Sequence, residues 1–116
     1  MSMTRILVCG GRLYTNEQHV NAVLSAVVAY YGDVVFINGG AAGADLTAHV
    51  WAVRRGIHSA RMGAIWAVHG KPAGVLRNQA MLELAQPHVV VAFPGGPGTA
   101  DMVKRARAAG IPTYEV

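Results

Sequence analysis

Residues 89–99, VVVAFPGGPGT, join a continuous apolar run to a glycine-rich turn and the start of a helical pattern. The run is short, rich in β-branched residues and free of polar interruptions, which is typical of a strand buried on both faces of a parallel sheet. Residues 6–9 and 34–37 have the same character, and glycines follow each of them at once, within 10–11 and 39–43. The sequence therefore predicts three inner strands that each end in a glycine-rich loop.

Helical patterns alternate with these strands. Thr15 and Gln18 form a capping-box sequence, which predicts the start of a helix that ends near Gly32. Further helices are predicted over about 44–55, 73–86 and 99–109. The apolar positions at helical spacing, which we expect to face the core, are Val20, Val23, Leu24, Val27, Val28 and Tyr31; Leu46, Val50 and Val53; Leu76, Ala80, Met81 and Leu84; and Met102, Val103 and Ala106.

Two weaker strands complete the pattern, over 58–62 and 111–116. The second is expected at an edge of the sheet, because Pro112 has no amide N–H to donate to a neighbouring strand. Regular alternation of strand and helix predicts an α/β fold. We expect a three-layer sandwich with a five-stranded, mostly parallel sheet in the order 3-2-1-4-5 and about four helices.

The composition fits one compact domain over residues 1–116. Hydrophobic residues make up 53% of the chain and charged residues 14%, which excludes intrinsic disorder. No apolar stretch approaches the roughly 20 residues of a membrane span, so a soluble protein without a membrane partner is expected. Cys9 is the single cysteine and is expected to be a buried thiol, which fits a reducing cytoplasm.

The formal net charge of +4 indicates an anionic partner. Basic patches at 54–61 and 104–107 lack interleaved aromatic residues, so they are more typical of solvated faces than of a nucleic-acid interface. The five histidines have no metal-ligand spacing, and neither a metal nor a cofactor is expected. The net charge alone does not identify the kind of anionic molecule.

The glycine-rich loops are the predicted site for that molecule. Ligands of open parallel sheets bind at the carboxyl ends of the strands, where the strand order reverses. Glycines let backbone N–H groups approach a phosphate closely, and the helix N-termini behind them add positive potential. Thr99 could act there as the helix N-cap or as a phosphate ligand. Neither G-x-G-x-x-G nor G-x-x-x-x-G-K-[ST] occurs, which argues against an ordinary dinucleotide fold and a P-loop NTPase.

Four motifs in order, within 8–14, 38–45, 70–81 and 92–102, resemble the small bacterial and phage SLOG proteins of the YspA-like type. The wider superfamily includes the LOG phosphoribohydrolases, the molybdenum-cofactor carrier proteins and the DNA-processing protein DprA. The resemblance implies a Rossmann-like fold, a nucleotide or nucleotide-derived ligand on the glycine loops, and a homodimer or larger homo-oligomer.

The LOG enzymes cleave the N-glycosidic bond of a nucleoside monophosphate with an arginine and with a glutamate in the helix that begins at PGGxGTxxE. Residues 94–99 match PGGxGT, and Arg77 matches the arginine. The acidic position is occupied by Met102, and Asp101 is the neighbouring carboxylate. The resemblance thus makes Asp101 and Arg77 the catalytic candidates, with Asp101 an electrostatic, acid–base or ribose-binding group.

The candidate ligand-binding residues are Gly10, Gly11, Arg12, Tyr14, Gly39, Gly40, Gly43, Asp45, Lys71, Arg77, Asn78, Pro94, Gly95, Gly96, Gly98 and Thr99. Ordinary structural roles stand beside these. Arg77 could hold a phosphate or pair with Glu83, and Asp45 could bind a ligand or complement a helix dipole. Tyr14 could stack on a base or lie in a surface loop, and Trp66 could form a lid or pack in the core.

Three functions remain open. The first is binding of a nucleotide without turnover, as a sensor, carrier or sequestering protein. The second is LOG-like hydrolysis of an N-glycosidic bond. The third and weakest is binding of single-stranded DNA.

Overall fold

Strands and helices alternate along the chain in the computed structural model, which describes residues 3–63 and 73–116. The elements are β1 (Thr4–Cys9), α1 (Glu17–Tyr31), β2 (Val34–Asn38), α2 (Ala44–Arg54), β3 (Ser59–Arg61), α3 (Ala73–Ala85), β4 (Val89–Ala92), α4 (Pro97–Ala108) and β5 (Thr113–Glu115). All the strands pair in parallel in the order β3-β2-β1-β4-β5. The predicted α/β Rossmann-like fold and strand order are confirmed.

The sheet places β1 between β2 and β4. Ile6 lies opposite Phe36 of β2 on one side and opposite Val89 of β4 on the other. β5 is an edge strand, as predicted from Pro112, whose carbonyl still accepts a hydrogen bond from the Val90 amide at 2.9 Å. The carboxyl ends of β1, β2 and β4 therefore lie side by side at one end of the sheet.

Two hydrophobic clusters cover the two faces of this sheet. Successive strand residues point to opposite faces, so Ile6 and Val8 join the cluster under α1 and α2, whereas Leu7 joins the cluster under α3 and α4. In β4, Val91 belongs to the cluster under α1 and α2, and Val90 belongs to the cluster under α3 and α4. Burial on both faces is the physical reason why these strands read as continuous apolar runs.

The N-terminus of α1 differs from the prediction. Asn16, not Thr15, is the N-cap residue, and its side-chain oxygen accepts a hydrogen bond from the His19 amide at 3.1 Å. The amide at the third helical position is the usual partner of a capping side chain, and only a cap at Asn16 places His19 there. The helix ends where predicted, at Gly32, which adopts a φ of 78°.

The buried faces of α2 and α3 were also predicted incorrectly in part. Leu46 and Val53 are exposed, and α2 instead packs on the sheet through Ala44, Ala48, Trp51 and Ala52. The small alanines let the helix approach the strands closely. Similarly, α3 buries Met81 but leaves Leu76 and Leu84 exposed. In α4 the predicted inward positions Met102, Val103 and Ala106 are confirmed as buried.

Within the part of the chain that the structure describes, no helix combines the length and the hydropathy needed to cross a membrane.

Candidate functional site

A cavity of about 340 Å³ opens at the carboxyl ends of β1, β2 and β4. This volume is in the range of small-molecule sites. The predicted ligand residues that line it are Gly10, Gly11, Arg12, Gly39, Asp45, Arg77, Asn78, Gly96, Gly98 and Thr99. Tyr14, Gly40, Gly43, Pro94, Gly95 and Asp101 are not among its lining residues. Lys71 and Trp66 lie outside the described residues.

Backbone hydrogen bonds hold the three glycine-rich loops together behind the cavity. The Gly11 amide donates to the Pro94 carbonyl at 2.9 Å, and the Ala44 amide donates to the Gly11 carbonyl at 3.0 Å. A Cβ on Gly10 would lie 2.5 Å from the Ala44 Cβ, so this close approach needs a glycine. Gly43 has a φ of 76° and lies against the backbone of residues 11–12. Close backbone approach at Gly10 and Gly43 therefore sets the relative positions of the three loops.

The first turn of α4 forms one wall. Gly96 is the N-cap residue and Pro97 begins the helix, so Thr99 is not the cap. No side chain caps this end, and the amides of Gly98 and Thr99 belong to the first turn, which has no intrahelical acceptors. A Cβ added at Gly96 or Gly98 would meet nothing within 4 Å. The first turn of α4 thus lies without a capping side chain at the positive end of the helix, and its glycines leave space beside it.

Arg77 of α3 lies across the cavity against the loop that follows β2. Its Nη1 donates to the Gly39 carbonyl at 3.2 Å, and its Nε is a buried donor without a hydrogen-bond partner in the described part of the chain. A Cβ on Gly39 would lie 2.6 Å from Nη1, so the missing side chain at Gly39 makes room for the guanidinium. Because unpaired buried donors are rare in folded proteins, an anionic ligand is a natural partner for this group.

Asn78 and Asp101 belong to a hydrogen-bond network between α3 and α4. Asn78 is 2% exposed, and its Nδ2 donates to the Gly98 carbonyl at 3.1 Å and to Asp101 Oδ2 at 3.0 Å. Arg105 Nε donates to the same Asp101 oxygen at 2.8 Å. Burial by itself raises the pKa of Asp101, but the hydrogen bonds from Asn78 and Arg105 and the nearby positive charges together lower it below its ordinary value. The Asp101 carboxylate is thus held outside the cavity lining.

Asp45 is the carboxylate that lines the cavity. It is 4% exposed, and its Oδ2 accepts hydrogen bonds from the amides of Gly39 at 3.0 Å and Ala41 at 3.3 Å. Burial raises the pKa of Asp45 above its ordinary value, although the Ala41 and Gly39 amides and the Arg77 charge act in the opposite direction. The side chain thus fixes the loop after β2 and also presents an acidic group to the cavity.

Sequence reasoning missed the apolar part of the lining and the cysteine. Val8, Cys9, Met81 and Met102 line the cavity with Ala41 and Pro97. Burial, followed by the negative charge of Asp45, raises the pKa of the Cys9 thiol to about 12. The position of Cys9 at the very end of β1 is a signal that could have placed it in the site.

Tyr14 occupies a different place from a base-stacking position. Its ring stacks on Phe93, with centroids 5.7 Å apart and planes inclined by 27°, and it also meets the ring of His19. It packs on the cluster beneath α1 and α2. No group of His, Cys, Asp and Glu among the described residues could hold a metal ion.

Comparison with known proteins agrees with the motifs. The sequence model of the YspA, cpYpsA-related SLOG family matches residues 4–69. The Gene 61 protein of Mycobacterium phage D29 is 38% identical over 123 aligned residues, which cover 95% of this chain and 94% of the phage protein. No solved structure matches the chain. The chain belongs to the YspA, cpYpsA-related SLOG family.

Proposed function

We propose that this protein binds a nucleotide or nucleotide-derived phosphorylated ligand in the cavity and acts as a sensor, carrier or sequestering protein. Family membership suggests a nucleotide-related ligand. The observation that carries the proposal is the juxtaposition of the unpaired Arg77 Nε with the uncapped first turn of α4 in one cavity. Arg77 and the first turn of α4 both bring N–H donors to the cavity lining, and among the described residues the Arg77 Nε has no hydrogen-bond partner and this end of α4 has no capping side chain.

In the proposed binding mode the phosphate lies on the amides of Gly98 and Thr99 and pairs with the Arg77 guanidinium. The Thr99 hydroxyl adds a further donor on the same wall, which supports its predicted role as a phosphate ligand, because Gly96 and not Thr99 is the N-cap residue. Gly10, Gly11 and Arg12 close the side next to β1. The apolar side chains of Val8, Met81 and Met102 then contact the uncharged part of the ligand.

The cavity gives less support to hydrolysis of an N-glycosidic bond through Asp101. The carboxylate of Asp101 accepts hydrogen bonds from Asn78 and Arg105, and it is not part of the lining. The net geometry therefore favours binding over turnover. Chromatography for free base, after incubation with nucleoside monophosphates, separates the two functions, since only the hydrolase releases base.

Titration calorimetry with a panel of nucleoside phosphates tests the proposal. We expect Arg77→Ala to abolish or strongly weaken binding, and Arg77→Lys to restore part of it, because lysine keeps the charge but not the bidentate geometry. Arg54→Ala is the matched control, since Arg54 is exposed on α2 and outside the cavity. Absence of binding across the panel, or equal losses for Arg77→Ala and Arg54→Ala, would overturn it.

A second pair of variants tests the wall formed by α4. Gly96→Val places a side chain in the proposed phosphate space without meeting any neighbour within 4 Å. Gly63→Val is the control, because its added Cβ also lies in open space but away from the cavity. We expect weaker binding for the first variant only.

We also propose that the protein forms a homo-oligomer and is located in the cytoplasm. The family resemblance implies the first, and the single cysteine fits the second. Light scattering of the purified protein measures the oligomeric state directly.

A further inference from the structure

On the basis of the proposed nucleotide site, we propose that Asp45 binds the sugar of the ligand and that the protein therefore selects ribonucleotides over deoxyribonucleotides. The carboxylate would accept a hydrogen bond from a ribose hydroxyl. This assigns to Asp45 a specificity-determining role in addition to its contact with the loop after β2.

The hydrogen bonds of Asp45 leave one oxygen available. Among residues 3–63 and 73–116, both hydrogen bonds to the carboxylate go to Oδ2, from the amides of Gly39 and Ala41. Asp45 is 96% buried by the surrounding protein yet lines the cavity. Oδ1 is therefore the oxygen that a ligand can reach, and it is a strong acceptor in a site of limited water access.

The position of Asp45 selects the kind of group that it contacts. Asp45 lies in the first turn of α2, whereas Gly98 and Thr99 form the wall at the first turn of α4, and the negative charge of the carboxylate repels a phosphate. A phosphate on α4 is thus kept away from the carboxylate. The group that reaches Asp45 must be a hydrogen-bond donor and must carry no negative charge.

Arg77 indicates which donor this is. Its guanidinium donates a hydrogen bond to the Gly39 carbonyl, and the Gly39 amide donates one to Asp45. Gly39 thus connects the arginine that is proposed to bind the phosphate with the carboxylate. The group covalently next to the phosphate of a nucleoside 5′-phosphate is the sugar. Its hydroxyls, rather than the base, are the donors that lie beside Asp45.

Paired calorimetric titrations test the inference. The probes are the four ribonucleoside 5′-monophosphates with their 2′-deoxy and 3′-deoxy counterparts. A hydroxyl bonded to a charged carboxylate predicts at least about tenfold weaker binding when the contacted hydroxyl is missing. In Asp45→Asn, which keeps one oxygen to accept from Gly39 and Ala41, this ratio should fall toward one. Asp33→Asn, at an exposed position outside the cavity, should keep the wild-type ratio.

The outcomes separate the two proposals. Equal affinity of the wild type for ribose and both deoxy forms overturns the inference and leaves the proposed function standing. An equal loss for all forms in Asp45→Asn also overturns it, because Asp45 would then only fix the loop, and a loss that depends on the base would place a base amine at Asp45 instead. If no probe binds, the proposed function fails and the inference with it.

Discussion

At Gly39 the absence of a side chain decides where the Arg77 guanidinium lies. A Cβ there would come within 2.6–3.0 Å of three guanidinium atoms, and only the flexible end of Arg77 would have to move. We therefore expect Gly39→Ala to fold but to displace the guanidinium, with nucleotide binding weakened about tenfold or more because a charge-assisted contact is lost. Calorimetry measures the affinity, and a thermal melt checks the fold.

Gly63→Ala is the matched control for this change, because its Cβ would lie in open space. Unchanged affinity in Gly39→Ala, with the fold intact, would show that the position of Arg77 against the β2 loop does not matter for the ligand.

Cys9 is a thiol whose reactivity is lowered by burial. With a pKa raised to about 12, only about one thiol in 10⁴ is ionised at pH 8. We expect alkylation by iodoacetamide at this pH to be slow in the folded protein and fast in denaturant, where a free cysteine has a pKa of roughly 8.5. Mass spectrometry of timed samples measures both rates. Equal rates in the two states would mean that the cavity ionises the thiol instead of burying it.

At the scale of elements, Asp101 contributes to the pairing of α3 with α4, because its carboxylate links Asn78 to Arg105. Its pKa lies below the ordinary value, so the stability it contributes is present above the ordinary pKa of Asp and is lost as the pH falls through the lowered one. We expect Asp101→Asn to lower the free energy of unfolding by about 1 kcal/mol at pH 7, and the difference from wild type to disappear in acid.

Urea denaturation at pH 7 and in acid measures this difference, with Asp33→Asn as the exposed control. Ligand affinity should change little in Asp101→Asn, because the carboxylate does not line the cavity. A loss of free-base release in this variant, were the wild type to show release, would instead make Asp101 catalytic.

The elements show why some of this architecture could be predicted from the sequence. The inner strands were predicted because Val90 and Val91 are buried on opposite faces, which leaves no polar position in the run. The buried face of α2 was not predicted correctly. Hydrophobicity favours Leu46 over Ala48 as a buried residue, whereas close packing on the sheet requires the smaller residue. The spacing of apolar residues along a helix does not predict the distance between that helix and the sheet.

The same limit applies to the candidate site. Glycines after buried strands predicted where the loops meet, because parallel strands end at one edge of the sheet. Which side chains reach the cavity depends on contacts between elements distant in sequence. Tyr14 stacks on Phe93, and Asp101 bonds Asn78 and Arg105, so neither joins the lining that the motifs suggested.

For the whole molecule, the two hydrophobic clusters share one sheet. Ile6 and Leu7 are adjacent in β1 and are both fully buried, one in each cluster. Loss of either helical layer would expose strands that the other layer also needs. We therefore expect the single domain predicted from the sequence to unfold in one cooperative transition.

Scanning calorimetry with and without ligand measures this cooperativity. The calorimetric and van't Hoff enthalpies should agree, and a nucleotide at 100 times its Kd should add about 2.7 kcal/mol to the free energy of unfolding and raise the Tm by several degrees. Arg77→Ala should show the same single transition without the shift, because it removes the proposed anion contact and leaves both clusters intact. A ligand that moved only part of a divided transition would contradict the single unit, since the cavity is built from loops of β1, β2 and β4 together.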